Sequence, residues 1–297
     1  MNTSEVFYSS DSHQENIVFS VFYILVFVVA VPGNALALWA FFGQENASTA
    51  RIFLRHLSVA DMSYILILPM RIVYHLSDNH WPFGHVLCEL SGFLFYLNMY
   101  SSLYLMSLIS LDRCLAVVLP LKSRSVRKAK YARIAVGVLW VLVIVSMSPT
   151  LFSITKLTNS PGTCSKLYLE KTTPKALVST IVAFAIPLTT VVVSYVLILL
   201  KLRTVTQRPV KDKAIKMIIL IVTNFLLAFV PYHVSRVMYI VTPAAGRMSL
   251  GKANRITSAL TCVSGVLDPV MYFFLNQAYR DQLLRLFCKK RREDQHT

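Results

Sequence analysis

Apolar residues along this chain gather into seven blocks, each too long and too continuous to be an alternating strand. They fall at residues 17–42, 52–74, 88–120, 134–152, 177–200, 215–241 and 256–275. A helix rises about 1.5 Å per residue, so about 20 apolar residues cross a hydrocarbon core of about 30 Å. The pattern predicts an all-α membrane protein, a seven-transmembrane helix bundle. The longest block, 88–120, would reach roughly 45–50 Å as a helix, with Cys88 at one surface and Asp112-Arg113 near the other. A charged pair at that depth is costly unless it faces protein or water, which marks it as a functional candidate.

The polar segments give the bundle an orientation. Residues 1–16 carry Glu5, Asp11 and Glu15 without a Lys or Arg, and no basic stretch precedes the first block, so no cleavable signal peptide is expected. Asn2-Thr3-Ser4 is a glycosylation sequon. Basic residues crowd three other places: Lys122 to Arg133 after block three, Lys201 to Lys216 after block five, and Arg285 to Arg292 after block seven. With seven crossings all three share one side, which predicts a cytoplasmic C-terminus and an extracellular N-terminus. The expected organisation is an extracellular segment 1–16, a membrane domain 17–275, an interfacial helix 276–288 and a cytoplasmic tail 289–297. In that interfacial helix Tyr279, Leu283, Leu286 and Phe287 oppose Arg280, Arg285 and Lys289. Cys288 beside the basic cluster is a palmitoylation candidate, an unmodified thiol being the other reading.

Composition agrees. The chain of 297 residues is 55% hydrophobic and 15% charged, against about 25% charged in ordinary soluble domains. A net charge of +16 could suggest nucleic acid, but its placement, mostly in loops, fits a membrane better. Five cysteines without metal-ligand spacing suggest neither a disulfide framework nor zinc. No nucleophile-base pair or phosphate loop points to an enzyme.

The polar residues inside the blocks carry a resemblance. Gly33-Asn34 lies in block one, LSVAD ending at Asp61 in block two, and Asp112-Arg113 at the end of block three. Trp140 stands in block four, Pro187 and Tyr195 in block five, FLLAFVP (225–231) in block six and DPVMY (268–272) in block seven. Taken in order, these resemble the class A (rhodopsin-like) G-protein-coupled receptors over essentially the whole chain. The phrases FVPYHVSR (229–236), NHWPFG (79–84) and GFLFYLNMYSS (92–102) are similar to the purinergic cluster of that class.

The resemblance implies roles. Asp61, Ser102, Ser264 and Asp268 would hold an allosteric sodium ion that favours the inactive state; neutral, hydrogen-bonded carboxyls are the alternative. Arg113 would be held by Asp112 at rest and released on activation, with Tyr195 and Tyr272 closing behind it. Phe229 stands where many relatives carry tryptophan, and Cys114 where many carry tyrosine. Pro187, Pro231 and Pro269 each remove a helical hydrogen bond and leave a kink. Cys88 and Cys164 would form the disulfide that pins the four-to-five loop over the pocket, while Cys262 reads as a small core residue. Partners implied are a heterotrimeric G protein of the inhibitory class and arrestin, at the plasma membrane.

Exclusions narrow the ligand. Phe95 stands where amine receptors of this class place an aspartate, and Cys262 where opsins place the retinal lysine. What remains is cationic: Arg71, Arg236 and Arg255 converge toward the outer side, with Tyr74, Phe95, Tyr96, Tyr100, Tyr232 and His233 around them. Guanidinium groups pair bidentately with phosphate or carboxylate, so an anionic ligand is expected. The alternative is that single arginines snorkel or pair with Glu89 or Glu170. The resemblance implies a nucleotide or nucleotide sugar, or an acidic lipid mediator such as a cysteinyl leukotriene. One departure stands out: no cysteine precedes Cys88 and none lies between Pro231 and Cys262, so the second outer disulfide usual in nucleotide receptors of the cluster is missing. A receptor with mainly constitutive activity is the alternative, and a channel or transporter the opposing class. Transporters usually show repeated halves and broken helices at matching positions, and this sequence shows neither.

Overall fold

The computed structural model describes residues 3–42, 48–151, 162, 164, 167–168, 173–204, 208–243, 247–277 and 279–285. Asn2, Glu170, Cys288 and the tail 289–297 lie outside the described residues. Among the described residues seven helical spans are long and apolar enough to cross a membrane: His13–Phe42, Thr49–Leu76, Gly84–Val118, Ala129–Met147, Pro174–Leu202, Ala214–Val241 and Leu250–Leu275. They are numbered one to seven below. The helix of span one begins at Thr3, well before residue 17, so the acidic segment continues the helical rod.

Apolar side chains point outward as well as inward. Leu25, Trp39, Val141, Leu142 and Val182 are exposed, while Asn34, Asp61, Ser102 and Asp268 are buried. That inversion is what lipid demands: hydrocarbon contacts outside, polar groups satisfied among themselves inside. Span three is the central post, packed against spans two, four and five.

Three spans are interrupted, two of them beside a proline. Span two breaks at Leu66-Ile67, ahead of Pro69 in the first turn of Leu68–Leu76. Span six winds into a π-helical turn at Phe225–Phe229 just before Pro231. Proline lacks an N–H and crowds the carbonyl four residues back, and the wider turn accommodates both. Span seven breaks at Thr261-Cys262 ahead of Pro269. Pro187, by contrast, sits inside an unbroken helix.

Spans one and seven meet through a glycine. A Cβ placed on Gly33 would lie 2.7 Å from the Pro269 ring, so only glycine allows this approach. Beside it Asn34 Nδ2 donates to the Gly265 carbonyl at 2.9 Å. Residues 279–285 are helical, and Tyr279 plugs that turn into the bundle: it is buried, packs on Phe41 and Tyr272, and donates to the Gly33 carbonyl at 3.4 Å.

At the other end Cys88 and Cys164 form a disulfide, with Cα atoms 5.7 Å apart. It joins Tyr74, Trp81, Leu167 and Tyr168 in a small apolar cluster separate from the main core. The helix of span one is tied down there by a polar contact. His13 Nδ1 and Asn16 Nδ2 lie 2.9 and 3.3 Å from Asp78 Oδ1, and these hydrogen bonds hold the Asp78 carboxyl below its ordinary pKa.

Candidate functional site

Below the disulfide the three arginines take different positions. Arg71 is 1% exposed, although its side chain is long enough to snorkel. Its Nη2 donates to the Leu167 carbonyl at 3.1 Å and its Nη1 to Tyr23 Oη at 3.4 Å. Its guanidinium lies 4.8 Å from the centre of the Phe95 ring and 5.6 Å from that of Tyr168. Among the described residues no carboxylate pairs with it, and its Nε is buried without a hydrogen-bond partner. Arg236 is equally buried and lies over Tyr239, 5.6 Å from the ring centre. Arg255 is half-buried and shares Tyr168 with Arg71, 5.4 Å from that ring.

Aromatic rings join these cations. Phe95 meets Tyr96 and Tyr232 edge to face, and Tyr232 Oη donates to Tyr96 Oη at 3.2 Å. Tyr232 lies in the electrostatic field of both Arg236 and Arg71. Tyr100 stacks on Tyr96 and touches His233. His233 donates from Nδ1 to the Phe229 carbonyl at 2.8 Å, which leaves Nε2 buried without a partner among the described residues. Phe184 of span five stacks flat on His233 at 4.1 Å, a contact the sequence reading missed. Tyr74 sits apart from this group, in the cluster under the disulfide.

Sequence reasoning also overlooked His75, Asn16 and Tyr168. His75 Nε2 lies 2.8 Å from Tyr168 Oη, and Nδ1 lies 3.4 Å from Asn16 Oδ1. Asn254 Nδ2 donates to the Tyr168 carbonyl. Fixed by these contacts, Tyr168 is the hub between spans two and seven. A loop residue gives no periodic signal, so nothing in the pattern could mark it.

Beneath these rings runs a polar network. Asp61 accepts from Asn98 Nδ2 at 3.1 Å and from Tyr272 Oη at 3.4 Å. Asn98 also approaches Ser102 Oγ at 3.4 Å, and Asp268 accepts from Asn224 Nδ2 at 2.8 Å. Asp268 Oδ2 is buried without a hydrogen-bond partner among the described residues. Ser264, one turn before Asp268, is buried and donates to the Thr261 carbonyl. Asn98 and Asn224 were legible as polar residues in apolar blocks, Asn98 one turn before Ser102.

The far end of span three adds a closer partner to the expected Asp112–Arg113 pair. Asp112 is gripped by Arg127, at 2.8 Å from Nε and 3.1 Å from Nη2, whereas Arg113 Nε comes only to 3.8 Å. Asp112 therefore holds the three-to-four loop more closely than it holds Arg113. Tyr195 Oη bonds Ser110 Oγ at 2.7 Å beside Arg113, while Tyr272 points to Asp61 and packs on Phe41. Phe229 is fully buried against Phe225 at the end of the π-turn, two positions before Pro231.

Known proteins share this arrangement of sequence. Residues 33–272 match the family model described as 7 transmembrane receptor (rhodopsin family). The chain is 48% identical to the human uracil nucleotide/cysteinyl leukotriene receptor over 93% of this chain and 78% of that one. The mouse protein of that name is 46% identical, over 98% and 90% respectively. A human purinoceptor is 36% identical over 84% of this chain and 72% of its own length.

Proposed function

This chain belongs to the rhodopsin family of seven-transmembrane receptors, multi-pass proteins of the plasma membrane, and we propose that it answers an extracellular anionic ligand by activating G proteins of the inhibitory class. The ligand is a nucleotide or nucleotide sugar, or an acidic lipid mediator such as a cysteinyl leukotriene, in keeping with the names of its relatives. The N-terminus is extracellular, in keeping with the basic loops on the opposite side, and arrestin is the second cytoplasmic partner. One observation carries the ligand reading: Arg71 is buried beneath the disulfide-pinned loop with no carboxylate pairing with it among the described residues. A buried charge without a counter-ion is costly, and an anion entering the cavity supplies one.

The mechanism follows from the connections below. An anion held between Arg71 of span two and Arg236 of span six draws their outer ends together across the Phe95–Tyr232 contact. Span six turns about its weakest point, the π-turn at Phe225–Phe229 and Pro231. The Asn224–Asp268 bond carries that motion into span seven, and the Asp61 network rearranges. At the far end Arg113 is freed for the G protein. The same network suits an allosteric sodium ion: Asp61, Ser102, Ser264 and Asp268 would supply oxygens, Asp268 Oδ2 being one still without a hydrogen-bond partner among the described residues. These residues would hold such an ion, whose charge would tie spans two, three and seven together in the resting arrangement.

The test is nucleotide exchange on an inhibitory G protein by the purified chain in vesicles, screened with uridine diphosphate, uridine diphosphate glucose, leukotriene D4 and lysophosphatidic acid. Wild type is expected to respond to at least one of them, and Arg71→Gln to lose that response at matched amounts of folded protein in the vesicles. An equal response in both would remove the reading; ion or solute flux in the same vesicles without exchange would favour a channel or transporter.

A further inference from the structure

Spans one and seven touch in their lower halves, at Gly33–Pro269 and Asn34–Gly265, and part above that contact. Between them lies a cavity of about 520 Å³, inside the range of roughly 300–1,000 Å³ typical of ligand sites. Its walls are apolar: Val18, Phe19 and Phe22 on one side, Ile256, Ala259 and Leu260 on the other. Val18 is 68% exposed and Ile256 52% exposed, so the cleft opens sideways toward the lipid.

Its upper end is charged. Lys252 Nζ bridges the cleft to Glu15 Oε1 at 2.5 Å, and Arg255 lines the same cavity with its guanidinium against Tyr168. Among the described residues Arg255 makes no ion pair. Among the described residues one carboxylate and two cations line the head of the apolar slot, a surplus of a single positive charge. That arrangement complements a monoanion with one long hydrocarbon tail.

We infer that the cleft between spans one and seven is a binding site for a single-chain lipid with a carboxylate head, drawn from the bilayer. The head pairs with Arg255, and the tail lies between Phe22 and Ile256. The Glu15–Lys252 pair closes the outer end and limits how readily the head reaches its second cation. The pair also links the N-terminal helix to the outer end of span seven, where the sequence lacks the second disulfide. Except that both use Arg255, the site is independent of the Arg71–Arg236 cavity.

The test uses the full chain in nanodiscs with tritiated oleate, and oleyl alcohol as the uncharged competitor. Oleate is expected to bind saturably and to resist displacement by the alcohol. Ile256→Trp, which fills the slot from an exposed position, and Arg255→Gln should each weaken oleate at least tenfold. Glu15→Gln should tighten it severalfold by releasing Lys252. Arg71→Gln should leave oleate affinity unchanged, which separates this site from failure of the central cavity. Equal displacement by oleyl alcohol would overturn the role of the head, and unchanged binding in Ile256→Trp would overturn the site. Loss of oleate binding in Arg71→Gln with no effect of Ile256→Trp would place the lipid in the central cavity instead.

Discussion

Asp112 and Arg127, fifteen positions apart, form a two-pronged ion pair that the adjacent Arg113 does not match. A carboxylate can accept a fork of two parallel N–H bonds from one guanidinium, and here the loop supplies that fork. Arg127 and Arg113 therefore compete for one acceptor.

That competition sets a direction. Arg127→Ala is expected to return Asp112 to Arg113 and lower agonist-free nucleotide exchange severalfold. Asp112→Asn, which removes the acceptor for both, is expected to raise it. Exchange measured on purified protein without ligand checks both, and a rise in Arg127→Ala would mean that the pair holds the receptor silent.

The Gly33–Pro269 contact predicts a stability effect. Gly33→Val puts atoms where the Pro269 ring already stands. Overpacking of this kind costs about 1–3 kcal/mol. The thermal midpoint in mild detergent is expected to fall by several degrees, while Gly137→Ala, with nothing within 4 Å of an added Cβ, should not lower it. Equal midpoints would show that the two spans can slide apart freely.

How much of this could be read from the chain varies residue by residue. The seven spans were legible because lipid demands long apolar runs, and the Cys88–Cys164 pairing because the resemblance implied it. The break in span two went unread, although Pro69 was visible in the sequence. The π-turn before Pro231 could not be read, since a proline specifies a lost hydrogen bond but not how the helix winds around it. Asp112–Arg127 and Glu15–Lys252 were beyond reach: their partners meet only after a loop or the whole bundle has folded. The burial of Arg71 was left open, because a sequence cannot say whether a long side chain snorkels or is roofed by a loop.

The proposed sodium site predicts a linked equilibrium. If the ion prefers the resting state, raising sodium at constant ionic strength weakens agonist binding. Asp61→Asn should blunt that dependence, and so should Asn98→Ala, which removes the hydrogen bond that fixes Asp61 Oδ1. Radioligand competition in sodium against N-methylglucamine buffers reads the effect. No sodium dependence in wild type would favour carboxyls kept neutral in the core.

Arg236 provides the sharpest chemical test of the anion. It is 1% exposed, so it does not snorkel, and it stands one turn beyond Tyr232, whose hydroxyl donates to Tyr96. If its guanidinium grips a phosphate or carboxylate, Arg236→Ala removes a charge-assisted bond worth roughly 1.5–3 kcal/mol, about ten- to a hundredfold in affinity. Arg236→Lys keeps the charge but replaces a planar fork with a compact ammonium on a different stem, so it should recover only part of the loss. A purely structural role in packing on Tyr239 predicts a different order. Both variants would then lower the thermal midpoint and surface expression, while the protein that reached the surface kept wild-type potency. Potency measured at matched expression, beside the thermal midpoint of each variant, tells the two apart. Equal potency of alanine, lysine and arginine at this position would move the anion to Arg71 and Arg255.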